Sequence, residues 1–218
     1  MKKGVRQMTK IDTSLDAEIV VITASSGGGK SSIVKKKING HKRLVIFDPD
    51  DEYGGIQGIT KAENCADLLR LLKQTKGGGL KVRIVAESKT AFDFVCTAVF
   101  HWGNCAFVAE ELAGRTHAGK AQGGWHTLVS RGRKRGISIY GITQRIAECD
   151  KTIVGNASEI YVGRLTRSVD RDLIAREIDM SKDVIAQLKN LKFIRADMSK
   201  GTRFAYDVKT GKEQQIPV

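Results

Sequence analysis

Ile19, Val20, Val21 and Ile22 form an unbroken β-favouring run that opens directly into Ser25, Ser26, Gly27, Gly28, Gly29 and Lys30. A continuous apolar run without alternation predicts a strand over residues 18–23 buried on both faces, as in a parallel sheet. Residues 30–38 can begin a helix, which makes the segment strand, tight loop, helix. Such a unit belongs to chains in which strands and helices alternate around one core.

The loop itself carries chemistry. The pattern G-x-x-x-x-G-K-[ST] cradles phosphate, and the run from Ala24 through Ser25, Ser26, Gly27, Gly28, Gly29 and Lys30 to Ser31 matches it with Ala24 in place of the first glycine. Gly27, Gly28 and Gly29 let successive backbone N–H groups turn toward phosphate oxygens, and the helix start adds aligned dipoles. Lys30 is positioned to neutralise charge near the β- and γ-phosphates, and Ser31 to place its hydroxyl on Mg²⁺. Ser32 supports the first helical turn. The competing reading is a glycine-rich strand-to-helix turn with an incidental lysine, which the preceding buried-strand pattern disfavours.

Downstream, residues 43–47 read as a second strand ending in the acidic run Asp48, Pro49, Asp50, Asp51, Glu52 and Tyr53. Residues 62–74 carry helical spacing through Leu68, Leu69, Leu71 and Leu72, closed by glycines 77–79. Strands follow over 81–86, 105–109, 137–142 and 159–162. Helices are expected over 91–100, 122–131, 170–178 and 182–191, and residues 112–124 read as a polar connection. Residues 192–196 and 203–208 pair as a terminal hairpin. The expected fold is α/β, a doubly wound, mostly parallel sheet with an antiparallel edge. The 218 residues suffice for one such domain, expected over 18–208, between a basic N-terminal segment (1–17) and a polar tail (209–218).

Composition narrows the partners. With 41% hydrophobic and 28% charged residues the chain reads as a soluble folded domain, and its apolar runs fall short of a bilayer span. The start of the chain has no apolar stretch of a secretory signal, so cytoplasmic residence is the default. Cys65, Cys96, Cys105 and Cys149 make no CxxC pair, and the four histidines no ligand pattern. The formal charge of +13 favours a polyanionic partner. No acidic residue lies between Leu112 and Ala147, a stretch that holds Arg115, Lys120, Arg131, Arg133, Lys134, Arg135 and Arg145. Nucleic-acid binding, nucleotide contacts, subunit contacts and plain solvation all remain open for it.

Hydrolysis of a bound nucleotide needs carboxylates to place Mg²⁺ and water. Glu110 and Glu111 follow the apolar run 105–109, so a buried strand delivers both to the sheet's carboxyl edge. Glu110 is assigned to Mg²⁺ through coordinated water, and Glu111 to activation of the attacking water. Asp48, Asp50, Asp51 and Glu52 either orient metal-bound water or cap their loop. Gln144, at the exit of the 137–142 strand, can bond both the γ-phosphate and the attacking water. Arg145 can contact phosphate, a neighbouring subunit or DNA.

Taken together, Ala24 to Ser31, Asp48 to Tyr53, Phe107 to Glu111 and Arg131 to Arg145 resemble the HerA/FtsK superfamily of P-loop motor ATPases. The likeness covers most of residues 18–165. Arg133-Lys134-Arg135-Gly136 is similar to the family's basic segment, and Glu52 falls within its acidic segment, which makes Glu52 a further metal candidate. The compact length most resembles the genome-packaging ATPases of tailless icosahedral phages and viruses with an internal membrane. That resemblance implies a RecA-like domain, ATP and Mg²⁺ as cofactors, and a homo-oligomeric ring, hexameric in form, moving double-stranded DNA at a capsid vertex. Capsid-vertex or viral membrane proteins would be its partners, with the host cytoplasm and then the virion as its location. It also implies nucleotide between subunits and an arginine from the neighbour: Arg133 is preferred, Arg145 next, with Arg135 and Arg164 also available. Arg115 and Lys120 are the first candidates for DNA contact, Arg131 and Lys134 the second. The alternatives are a cellular HerA-type translocase, a filamentous-phage assembly ATPase, a small-molecule kinase, and a nonenzymatic DNA-binding assembly protein.

Overall fold

The computed structural model describes residues 17–75 and 78–217, so nearly all of the basic N-terminal segment lies outside the described residues. Among the described residues ten strands form one sheet in the order β10-β9-β8-β7-β1-β6-β5-β2-β4-β3. Seven neighbours, from β7 (Glu159–Val162) through β1 (Ile19–Thr23), β6 (Ile137–Thr143), β5 (Cys105–Ala109), β2 (Arg43–Phe47) and β4 (Leu80–Ile84) to β3 (Ile59–Ala62), run parallel. β8 (Lys192–Asp197), β9 (Thr202–Asp207) and β10 (Glu213–Ile216) extend the β7 side antiparallel.

Alternate residues of the central strands feed two cores. Ile19, Val21, Val45, Phe47, Phe107 and Ile139 face α2 (Cys65–Gln74), α3 (Lys89–Trp102), α5 (Gly123–Arg131), α6 (Lys151–Asn156) and α7 (Ser168–Glu177). Val20, Ile22, Leu44, Ile46, Val108 and Ile142 face α1 (Lys30–Lys37) and the side chains of Tyr53, Phe193, Tyr206 and Val208. Burial on both faces is why these strands are uninterrupted apolar runs.

Several elements depart from expectation. The polar tail contains β10, which pairs with β9 through backbone bonds that need no apolar side chains. Ala62 ends β3, and the helix that follows starts at Cys65, where Asn64 accepts the Asp67 N–H as its cap. Residues 112–124 hold a single helical turn, α4 (Leu112–Arg115), because Leu112 is drawn into the core. The helix expected over 182–191 is α8 (Lys182–Ala186) and stops early. Beyond it Leu191 adopts φ 63° to turn the chain into β8. Among the described residues no helix is long and apolar enough to cross a membrane.

Candidate active site

Because β1, β6, β5 and β2 are parallel neighbours, their carboxyl ends deliver four segments to one edge: the glycine loop, Gln144, the two glutamates, and the acidic run. These segments bound a cleft of about 330 Å³ lined by Ser26, Gly27, Gly28, Gly29, Lys30, Ser31, Ser32, Asp48, Asp50, Glu52, Glu110, Glu111, Gln144 and Leu191. β6 stands between β1 and β5, which puts Gln144 between the loop and Glu111.

Gly29 begins α1 at φ 102° with no side-chain cap, so the first-turn N–H groups are left for an anion. A Cβ there would also strike Leu191 Cδ2 at 2.8 Å. The loop is anchored at its entry: Ser25 N–H donates to Arg164 O at 2.8 Å, and Gly163 N–H to Thr23 O at 2.8 Å. Ser25 does not line the cleft, and its hydroxyl is buried without a partner among the described residues. Ala24 is fully buried, and a Cβ built on Gly163 would lie 2.8 Å from its methyl. The glycine that the loop lacks at position 24 is thus matched by one across the sheet at 163.

Lys30 Nζ donates to the carbonyls of Ala24 (3.1 Å) and Ser25 (3.4 Å). Burial lowers its pKa, opposed by Glu110, Glu111 and Glu52. Ser31 Oγ donates to Glu52 Oε2 at 2.9 Å. The Tyr53 hydroxyl donates to Glu110. Burial pushes the Glu110 carboxyl up to about 7, against the lowering effect of the Tyr53 bond. Glu111 is also raised by burial, opposed by Lys30 and by hydrogen bonds from the Gln144 backbone and side chain. Glu111 sits at φ 47°, ψ 60°; a left-handed conformation in a non-glycine residue is strained, and the surrounding structure must hold it.

The donor set fits Mg²⁺ brought in with a nucleotide. Among the described residues no three His, Cys, Asp or Glu side chains form a self-sufficient metal cage. One hydroxyl with one or two carboxylates is the sparse oxygen set that Mg²⁺ accepts when phosphates and water complete its shell.

The basic residues divide between two edges. Arg145 and Arg164 are exposed at the carboxyl edge, just past β6 and β7. Arg115 ends α4 with its guanidinium 5.8 Å from the Phe47 ring centroid, and it lines a second cavity of about 290 Å³ with Lys120, Lys89 and Trp125. Arg131, Arg133 and Lys134 are exposed before β6 begins, at the opposite edge, with Arg135 half-buried beside them. Seven residues of β6 separate Arg133 from Gln144, about 20 Å along a strand. Within the chain Arg133 and the cleft are therefore apart, and of the four candidate DNA contacts Arg115 and Lys120 share a cavity while Arg131 and Lys134 precede β6.

Asp48, read from sequence as orienting metal-bound water or capping its loop, accepts the backbone N–H groups of Glu52 and Tyr53, whereas Tyr53, Arg83 and Leu191 are given no role at this site by sequence. Arg83 had a faint signal, a cation within the apolar run Val82-Arg83-Ile84. Leu191 had none, since it reaches the loop from 162 residues away along the chain through the hairpin fold.

No protein-family model matches the chain. It is similar to protein P9 of Pseudoalteromonas phage PM2, 29% identical over 168 residues that cover 74% of this chain and 75% of that protein. The genome packaging NTPase B204 of Sulfolobus turreted icosahedral virus 2, in complex with ATP-gammaS, aligns with a TM-score of 0.67 and 17% identity, covering 92% of this chain and 97% of that one. The bacterial conjugative coupling protein TrwB aligns with a TM-score of 0.55 and 11% identity, covering 100% and 89%. The chain has the fold of these two solved structures: a RecA-like P-loop NTPase core with a mostly parallel sheet, helices on both faces and an antiparallel extension.

Proposed function

We propose that this chain is an ATP-driven double-stranded DNA translocase that packages a viral genome into a preformed capsid. The observation that carries the reading is the convergence of the glycine loop, Lys30, Ser31, Glu110, Glu111 and Gln144 in one cleft. The likeness to P9 and to the packaging NTPase B204 supports the task.

In this reading the N–H groups of residues 27–31 and the Lys30 ammonium hold the β- and γ-phosphates. Ser31, Glu52 and Glu110 would hold Mg²⁺, Glu110 through coordinated water, and the ion when bound would neutralise charge developing on the phosphate oxygens. Glu111 accepts the proton of the attacking water, a role worth about 10²–10⁴-fold in rate. Gln144 bonds Glu111, and its amide can reach the γ-phosphate from the same loop, so loss of that phosphate alters what Gln144 holds. The residue after it, Arg145, is exposed and carries the change to a neighbouring subunit or to DNA.

The working form is a homo-oligomeric ring, hexameric, with nucleotide at subunit interfaces. Arg133 of one subunit lies at the edge opposite its own cleft, so a part in catalysis requires that edge to face the next subunit's cleft. Arg145 and Arg164 reach a site at the carboxyl edge without that condition. Arg115 and Lys120 contact DNA first, with Arg131 and Lys134 secondary; phosphate contacts of this kind follow backbone charge rather than sequence. Capsid-vertex or viral membrane proteins anchor the ring, in the host cytoplasm during assembly and at the packaging vertex of the virion. ATPase activity at low salt, with and without double-stranded DNA, tests the proposal when paired with mass measurement of the nucleotide-bound assembly. A DNA-stimulated ring is expected; turnover indifferent to DNA in an assembled ring would count against translocation.

A further inference from the structure

Arg83, on β4, is only 8% exposed and has no part in the chemistry above. Its Nη1 donates to Asp48 Oδ2 at 3.0 Å and also to Asp51. Asp48, 1% exposed, accepts in turn the backbone N–H groups of Glu52 (2.9 Å) and Tyr53 (3.1 Å). Those two residues bond the lining of the cleft through their side chains, Glu52 accepting from Ser31 and the buried Tyr53 donating to Glu110. Tyr53 anchors the middle of the loop in the core, while Asp50, Asp51, Glu52, Gly54 and Gly55 around it are exposed. The loop crosses the guanidinium at Gly54, where a Cβ would stand 3.0 Å from Arg83 Nη2.

A buried ion pair is a poor device for stability alone, because desolvation offsets most of the attraction. What a planar guanidinium adds is direction, since it can bond two carboxylates of one loop at fixed angles. The geometry points to Arg83 as a positioning residue for the metal side of the nucleotide site. By fixing Asp48 and Asp51 it sets the loop from which Glu52 reaches Ser31 and Tyr53 reaches Glu110. This rests on the reading of Ser31, Glu52 and Glu110 as the residues that hold Mg²⁺ with the nucleotide.

The test uses the full chain and a fluorescent, non-hydrolysable ATP analogue, titrated in Mg²⁺ and in EDTA, with thermal unfolding recorded alongside. Arg83→Met is expected to lose about tenfold of the Mg²⁺-dependent tightening, while its affinity in EDTA stays within about twofold of wild type. Arg83→Lys, which keeps the charge and several donors but lacks the rigid planar head that fixes their direction, falls between them. Combined with Glu52→Gln, Arg83→Met adds less than its own loss, the remainder passing through Tyr53 and Glu110. Should Arg83→Met not fold, Arg83→Lys and Asp51→Asn carry the same comparison, since Asp51 is exposed and outside the cleft lining. Wild-type Mg²⁺ tightening in the variants, equal losses in Mg²⁺ and EDTA, or additivity with Glu52→Gln would each overturn the positioning role. Wild-type protein that binds the analogue equally in Mg²⁺ and EDTA would instead overturn the metal assignment beneath it.

Discussion

Gly163→Ala is the substitution that most sharply probes how this chain tolerates alanine at the start of its phosphate loop. The new Cβ would lie 2.8 Å from the Ala24 methyl and 2.8 Å from Phe193 Cε1 and Cζ. Carbon contacts settle near 3.5–4.0 Å, so each neighbour would have to retreat by roughly 0.7 Å or more. Neither has free space, since Ala24 is fully buried and Phe193 is 1% exposed. Overpacking of this kind costs about 1–3 kcal/mol, which for a chain of this size lowers Tm by roughly 2–12 °C. The displacement is also transmitted: Ala24 precedes Ser25, whose N–H is bonded to Arg164 O next to the substituted residue. Nucleotide affinity should therefore fall along with Tm. Ala24→Gly removes one of the two clashes and should recover part of both losses in the double variant, with a coupling of about 0.5–3 kcal/mol. Thermal unfolding and titration with an ATP analogue measure the two effects. Wild-type Tm and affinity in Gly163→Ala, or purely additive losses in the double variant, would refute the packing argument.

Glu111→Gln should retain nucleotide binding while kcat drops about 10²–10⁴-fold; single-turnover phosphate release at wild-type speed would remove Glu111 from the chemistry. Lys30→Ala should abolish tight binding of the analogue without unfolding the protein, as judged by circular dichroism. Glu110 has a folded pKa of about 7, above its ordinary 4.5, so between those pH values the folded chain keeps a proton that the unfolded chain has released. Its contribution to stability is therefore full below pH 4.5 and is lost as pH rises through 7. In EDTA, Glu110→Gln should gain in Tm relative to wild type across that window; a difference that stays flat with pH would contradict the burial of an ionisable carboxyl there. Mixed assemblies with Lys30→Ala on one subunit and Arg133→Ala or Arg145→Ala on another should regain activity only where an interface keeps both partners intact, and absence of rescue for either arginine would count against it as the donor.

The parallel core was legible because its strands are buried on both faces and so advertise themselves as unbroken runs: residues 43–47, 105–109 and 159–162 begin and end where the sequence says. Edge strands give no such signal. β3 and β10, ITKA and EQQI, carry mostly polar side chains and are held by backbone pairing. The ends of the core strands also carried the cleft, since parallel strands necessarily deliver their exits to one edge. Contacts between distant segments were not legible. Asp48 and Arg83 are 35 residues apart, and nothing in either run names the other. The same limit hid the position of the basic segment: Arg133 and Gln144 flank one strand, and only a length in space shows that flanking puts them at opposite edges.

In the proposed function, hydrolysis in this cleft moves the protein along duplex DNA. Displacement of a labelled third strand from a DNA triplex tests it most directly, because a motor must strip that strand as it advances along the duplex. Wild-type rings should release the strand in an ATP-dependent manner, later for longer approach tracks, and Lys30→Ala and Glu111→Gln rings should not. Rings that hydrolyse ATP in the presence of duplex DNA yet release no strand from any length of track would contradict it.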